Sequence, residues 1–179
     1  MRIDEIIRKS LEEDLGSGDI TTRYLDLDPE ICSAYMIAKA EGILAGTDIA
    51  KEVFKTVDPE LKITIYRKDG DRVRSKDEIM RVEGKAASIL QAERTALNFL
   101  QRLSGIASQT RRMVDAMAGT NTMLLDTRKT TPLLRSLEKY AVRVGGGLNH
   151  RHGLFDMIML KENHIRAAGG ITRAVSKIQ

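Results

Sequence analysis

Two short apolar runs, TMLLDT (122–127) and DMIMLKEN (156–163), each end in charged residues and are each followed by a stretch of helical character. A strand buried on both faces reads as a continuous apolar run, and a helix between two such strands returns the chain so that they lie parallel. The pattern predicts a parallel α/β unit with TPLLRSLEKYAVRVGG (131–146) and GGITRAVSKIQ (169–179) as its helices. Pro132 stands near the start of the first helix and Gly145 near its stop. In such folds the chemistry collects at the carboxyl ends of the strands.

The preceding residues read differently. Ile3, Ile6, Ile7 and Leu11 form one stripe of an amphipathic helix that GSGD ends. Residues 33–45 are small and apolar and read as strand. TDIAKEVFKTV (47–57) reads as a helix, with Thr47 as its N-cap and Ile49, Val53 and Val57 at helical spacing. LKITIYRKDGDRV alternates Leu61, Ile63 and Ile65 with polar neighbours before a turn at Asp69–Gly70, and EIMRVEG is a further strand. Residues 1–84 are thus expected to form a mixed α+β unit. KAASILQAERTALNFLQRL (85–103) is strongly helical, SGI is expected to interrupt it, and ASQTRRMVDAMAG (107–119) to continue as a second helix. At the other end, the stripe of Ile171, Val175 and Ile178 runs to Gln179. Two parallel strands cannot cover both faces of a sheet, so this second unit is expected to be incomplete, or completed by a partner.

Charge narrows the function. Residues 126–166 hold eight Lys/Arg against four Asp/Glu, and the rest of the chain holds 21 of each sign. The whole net charge of +4 therefore sits around this window. Nucleic-acid binders spread basic residues along a face and interleave aromatic platforms, whereas here Trp is absent and only 4% of residues are aromatic. A small anionic ligand is the better match, although the same cations could cover solvated helix faces. No stretch approaches the roughly 18 apolar residues that cross a bilayer, and the charged N-terminus lacks a signal-peptide core. The single cysteine, Cys32, fits a reducing compartment, and the chain is expected to be cytoplasmic.

Three segments carry the candidate chemistry. Arg128 and Lys129 leave the first strand between Thr127 and Thr130: a planar fork suited to carboxylate, a compact charge suited to phosphate, and neutral hydroxyl donors. GGGLNHRHG (145–153) brings His150 and Arg151 behind three glycines, which permit a close approach to a ligand or positive φ, or else mark a flexible helix end. MLKENH places Lys161, Glu162 and His164 at the end of the second strand. His150 and His152 form an H-x-H pair of the kind zinc uses, but Arg151 lies between them and the cationic surroundings oppose a divalent ion. Arg128, Lys129, His150, Arg151 and Lys161 are expected to converge on one cationic pocket. Taken singly each group is unremarkable, and the Arg128–Lys129 segment is equally readable as a solvated loop.

The stretches EEDLGSGDITT, AERTALNFLQRLSGIA, DTRKTTP..LR, EKYAVRVGGGLNHR.GL.D and LKENHI stand in the order and spacing of the quinolinate phosphoribosyltransferases, the carboxylating nicotinate-nucleotide pyrophosphorylases, and the chain resembles that family over nearly its whole length. The resemblance implies an α/β fold in which an α+β sandwich domain (1–101) is followed by the first strands and helices of an α/β barrel (102–179), with the barrel incomplete. It implies condensation of quinolinate with phosphoribosyl pyrophosphate, assisted by Mg2+, to nicotinate mononucleotide, pyrophosphate and carbon dioxide in NAD biosynthesis. It further implies a homodimer with active sites at its interface, and neither a nucleic-acid nor a membrane partner.

By the same resemblance, Arg94 reaches across the dimer to the neighbouring site. Arg128, His150 and Arg151 grip the two quinolinate carboxylates. Lys129 and Lys161 are the catalytic cations attending carboxylates and phosphates, and Thr127 lines the strand end. His152 and His164 are expected to be structural. The family's acidic metal ligands correspond to positions beyond Gln179, so no metal ligand is expected within the chain. Leu133 stands where the family usually has glycine. Two other readings stay open: a catalytically inactive dicarboxylate-binding or dimerisation module, and a paralogue of the same family associated with molybdenum transport.

Overall fold

The computed structural model describes residues 2–27 and 30–178. Gln179, the last residue of the expected C-terminal helix, lies outside the described residues. The chain opens with α1 (Ile3–Leu15), whose Ile6, Ile7 and Leu11 are buried, as their spacing requires. A short helix, α2 (Ile20–Tyr24), was not foreseen; it starts where Asp19 accepts the Thr22 N–H at 3.2 Å. The strand expected over 33–45 is two strands, β1 (Ile31–Ile37) and β2 (Gly42–Ile43). Then follow α3 (Thr47–Val57), β3 (Lys62–Ile65), β4 (Arg72–Val73) and β5 (Glu78–Lys85).

β5 is the central strand of an antiparallel sheet of order β1-β5-β3, while β2 pairs with β4. Alternation decides the faces of that sheet. Met80 and Val82 turn inward and are buried. Arg81 turns outward, where it lies over the Tyr35 ring at 5.7 Å and donates to Glu83 at 2.9 Å. The core is closed by Ile49, Ala50, Val53 and Phe54 of α3 and by the apolar side of the next helix, α4 (Ala86–Ala116).

α4 runs unbroken for 31 residues, which corrects the expected interruption at SGI. Ser104 and Ser108 do not break the helix. Their hydroxyls accept the backbone N–H groups of Ala45, at 3.0 Å, and Ile43, at 2.8 Å, and so tie α4 to the β2 segment. At about 1.5 Å per residue the helix spans about 45 Å and serves as the spine for both halves of the chain.

Two further corrections concern helix starts. Thr47 is the first helical residue of α3, not its cap; the N-cap is Gly46, at φ 98°. The capping carboxylate comes from Asp69, which accepts the N–H groups of Gly46 and Thr47 and the Thr47 hydroxyl at 2.7–2.8 Å. The helix expected over 131–146 is α5 (Arg135–Val144), which excludes Pro132, because Leu133 adopts φ 68° and the chain turns there.

After α4 the two expected barrel strands are not ladders. Among the described residues, one parallel bridge joins Leu125 to Leu148, and 156–163 pairs with no strand. A parallel strand is held by its neighbours on either side, and only the 122–127 run meets one. From Glu162 the chain is helical, as α6 (Glu162–Ala168) and α7 (Ile171–Ser176). The class is α/β without a closed barrel, as expected. Among the described residues no helix is long and apolar enough to cross a membrane.

Candidate functional site

The parallel bridge sets the site. Leu148 donates to the Leu124 carbonyl at 2.8 Å and Asp126 donates to the Leu148 carbonyl at 3.1 Å, so the segments leaving 126 and 148 emerge side by side. Between them lies a cavity of about 330 Å³ lined by Asp126, Thr127, Arg128, Lys129, His150, Arg151, Met159 and Lys161. Six of the seven residues singled out as substrate-binding share this cavity. Arg94 does not line it: it sits exposed on α4.

Each cation reaches the cavity by a different local device. Arg128 follows Asp126 at the strand end, and its carbonyl accepts from Arg135 Nη2 at 3.4 Å. Its Nε is buried and meets no acceptor among the described residues. Lys129 closes a turn begun at Thr127, its N–H donating to the Thr127 hydroxyl at 3.1 Å. Arg151 is only 6% exposed, and its Nη1 donates to the Met157 carbonyl at 3.2 Å, which draws the 157–161 segment to the cavity wall. Lys161 is the N-cap of α6. There His164 Nδ1 accepts the Lys161 N–H at 3.1 Å, so His164 holds the start of that helix. His152 lies outside the cavity; its N–H and that of Gly153 bond the Asp156 carboxylate and hold it below the ordinary value.

The His150 ring is oriented by its own backbone. The Arg151 N–H donates to His150 Nδ1 at 2.6 Å. A ring nitrogen that accepts a hydrogen bond carries no hydrogen of its own, so the neutral ring bears its hydrogen on Nε2, where it can serve as a donor to an anion.

Behind the cavity lies a layer to which sequence reasoning assigned no role. Lys139 of α5 is buried, with Nζ 2.5 Å from Asp126 Oδ1 and 2.9 Å from the His150 carbonyl. The same Asp126 oxygen accepts the His150 N–H at 2.8 Å. Glu138 accepts Arg102 Nε at 3.0 Å and the Thr131 N–H at 3.2 Å. Burial pushes its carboxyl up, but those hydrogen bonds outweigh burial and hold it below the ordinary value. Tyr140 donates to Asp69 at 2.6 Å, and burial followed by that carboxylate raises its phenol well above 10.0. Three consecutive residues cover about 200° of a helix surface, so α5 is keyed to α4, to the cavity loops and to the β3–β4 turn. The sequence signal was present in EKY, three polar residues inside an amphipathic helix, but nothing in it named their partners.

The glycines of 145–147 also have a different use from close approach to a ligand. A Cβ at Gly145 would stand 2.4 Å from the Ala107 carbonyl and 2.6 Å from Thr110 Cβ. The end of α5 presses directly on α4. Among the described residues no group of three or more His, Cys, Asp or Glu could hold a metal ion.

Fold and cavity define an α/β protein whose adjoining loops present four cations, Arg128, Lys129, Arg151 and Lys161, and one oriented imidazole to a common space. Residues 19–104 match the N-terminal domain of quinolinate phosphoribosyl transferase, and residues 106–179 match its C-terminal domain. Over 177 residues the chain is 45% identical to a probable nicotinate-nucleotide pyrophosphorylase [carboxylating] of Bacillus subtilis, covering 99% of this chain and 61% of that protein. It is 49% identical to the chloroplastic nicotinate-nucleotide pyrophosphorylase [carboxylating] of Arabidopsis thaliana, covering 97% of this chain and 49% of the relative. The crystal structure of NadC from Streptococcus pyogenes superposes with a TM-score of 0.94 at 44% identity, over 98% of this chain and 62% of that one. The chain belongs to the quinolinate phosphoribosyltransferase family. It spans about half to three fifths of the length of these relatives.

Proposed function

We infer that the cavity binds quinolinate, and that the protein to which this chain belongs transfers a phosphoribosyl group to it from phosphoribosyl pyrophosphate, with decarboxylation to nicotinate mononucleotide in NAD biosynthesis. The observation that carries this reading is the convergence of Arg128, Lys129, His150, Arg151 and Lys161 on one cavity in a chain of this family. Quinolinate is a dianion and its co-substrate carries several more charges. Fixed cations bring the two together without reorganisation during the reaction, which is electrostatic preorganisation combined with positioning.

In this reading Arg128, His150 and Arg151 hold the carboxylates, with His150 donating from Nε2. Lys129 and Lys161 attend the carboxylates and the phosphates, and Thr127 adds a hydroxyl. The ring nitrogen attacks the anomeric carbon as pyrophosphate leaves; loss of the 2-carboxylate as carbon dioxide leaves its electron pair on C2 beside a pyridinium, which stabilises it until a proton from solvent completes the C2–H bond. No protein nucleophile is required. Arg94, exposed on α4, would serve the site of a second subunit in a homodimer, and the domains would divide as 1–101 and 102–179. Mg2+ would accompany phosphoribosyl pyrophosphate as part of that substrate. A cytoplasmic setting without nucleic-acid or membrane partners completes the proposal.

Isothermal titration with quinolinate, alongside an assay for nicotinate mononucleotide, tests it. Saturable binding with product formation is the expected result. Binding without product would leave a dicarboxylate-binding module, and no binding would end the reading.

A further inference from the structure

The four cations of the cavity share its wall with a carboxylate, Asp126. A bare carboxylate there would repel any dianion, since opposite signs a few ångströms apart partly cancel in the field a ligand meets. Lys139 answers this from behind the wall. It does not line the cavity, its side chain is 3% exposed, and Asp126's is 6% exposed. The pair is satisfied on all sides. Asp126 Oδ1 takes Lys139 Nζ and the His150 N–H. With its amide nitrogen turned inward, Asn149 donates to Asp126 Oδ2 at 2.8 Å and to the Lys139 carbonyl at 2.9 Å. Lys139 Nζ also holds the His150 carbonyl. Both peptide groups around His150 are therefore fixed, and the Arg151 N–H that orients the imidazole is fixed with them.

We propose that Lys139 is a positioning residue of the anion pocket: paired with Asp126, it neutralises the one carboxylate in the wall and clamps the 148–151 loop to the 124–128 strand end, so that His150 and Arg151 meet the two carboxylates of a planar dicarboxylate. This rests on the quinolinate reading for its ligand, although the clamp itself can be read without one.

Lys139→Met alone would strand a buried carboxylate and threaten folding. The informative variant is Lys139→Met with Asp126→Asn, a neutral pair of similar volume in which the Asn oxygen can still accept the His150 N–H. A melting temperature near that of the wild type, with quinolinate affinity weakened about tenfold or more, is the expected result. A folded double variant that binds quinolinate within twofold of the wild type overturns the proposal, because the pair would then only fill space. Should that variant not fold, Asn149→Ala removes an exposed side chain from the same clamp; a severalfold loss of affinity supports the proposal and unchanged affinity overturns it. If the wild-type chain binds no quinolinate, the substrate reading alone fails. The clamp is then decided by the nitrogen-15 shifts of the His150 ring, which move in the double variant if Lys139 holds that loop and stay in place if it does not.

Discussion

The Tyr140 hydroxyl and the Asp69 carboxylate meet at 2.6 Å across 71 positions of sequence. The same carboxylate caps α3 through Gly46 and Thr47, so one side chain joins the β3–β4 turn, the start of α3 and the middle of α5. The helix that backs the cationic cavity is thereby tied to the N-terminal sheet unit, and the cost of breaking that tie can be measured.

Tyr140→Phe removes one hydrogen bond to a charged acceptor and should lower unfolding free energy by about 1–2 kcal/mol. The phenol titrates higher in the folded protein than its ordinary 10.0. Its contribution is therefore complete below about pH 10 and is lost as pH rises towards the folded value. The gap in urea midpoint between wild type and variant should be smaller at pH 10.5 than at pH 8; a constant gap would show that the phenol proton is not what the fold holds.

Arg128→Ala or Arg151→Ala should each weaken quinolinate binding by about 1.5–3 kcal/mol, the scale of charge-assisted contacts. Arg151 is buried and bonded to the Met157 carbonyl, so its loss should also lower the melting temperature, whereas Arg128→Ala should leave it nearly unchanged. Calorimetric affinities that match the wild type in both variants would remove these arginines from ligand contact.

Leu133 adopts φ 68° with its side chain 71% exposed, a conformation in which a leucine Cβ is crowded by its own backbone and gains no compensating burial. Leu133→Gly should stabilise the protein by about 0.5–1 kcal/mol, after allowing for the extra freedom glycine has when unfolded. A fall in melting temperature would mean the turn is not left-handed in solution.

Gly145→Ala should have the opposite effect. Its Cβ would have to displace the backbone of α4 at Ala107, not a flexible side-chain end, and a loss of about 2–3 kcal/mol or more is expected. Near-neutral stability would show that α5 and α4 separate more easily than their contact implies.

Periodicity carried the fold a long way. The stripe of α1, the Val53 side of α3, the alternation of β3 and the apolar rows of α4 were legible because each pattern is written within a dozen residues. Charge location carried the candidate site equally well, since Arg128, Lys129, His150, Arg151 and Lys161 all line one cavity. What failed was local punctuation. Ser104 and Gly105 read as a break, yet Ser104 bonds the backbone of Ala45, 59 residues away and just past β2, and the helix continues. Thr47 read as a cap, yet Asp69 supplies one from a later turn.

The residue types near the loop ends, and therefore the sign and crowding of the charge they could present, were determined by the sequence alone, because charge and hydrophobic period belong to single residues and their near neighbours. The pairings of Asp126 with Lys139, Glu138 with Arg102 and Tyr140 with Asp69 were decided only by tertiary structure. Each joins groups 13 to 71 residues apart. A buried polar group is tolerated only where a partner meets it, and which partner does so is a property of the packed chain and not of any segment of it.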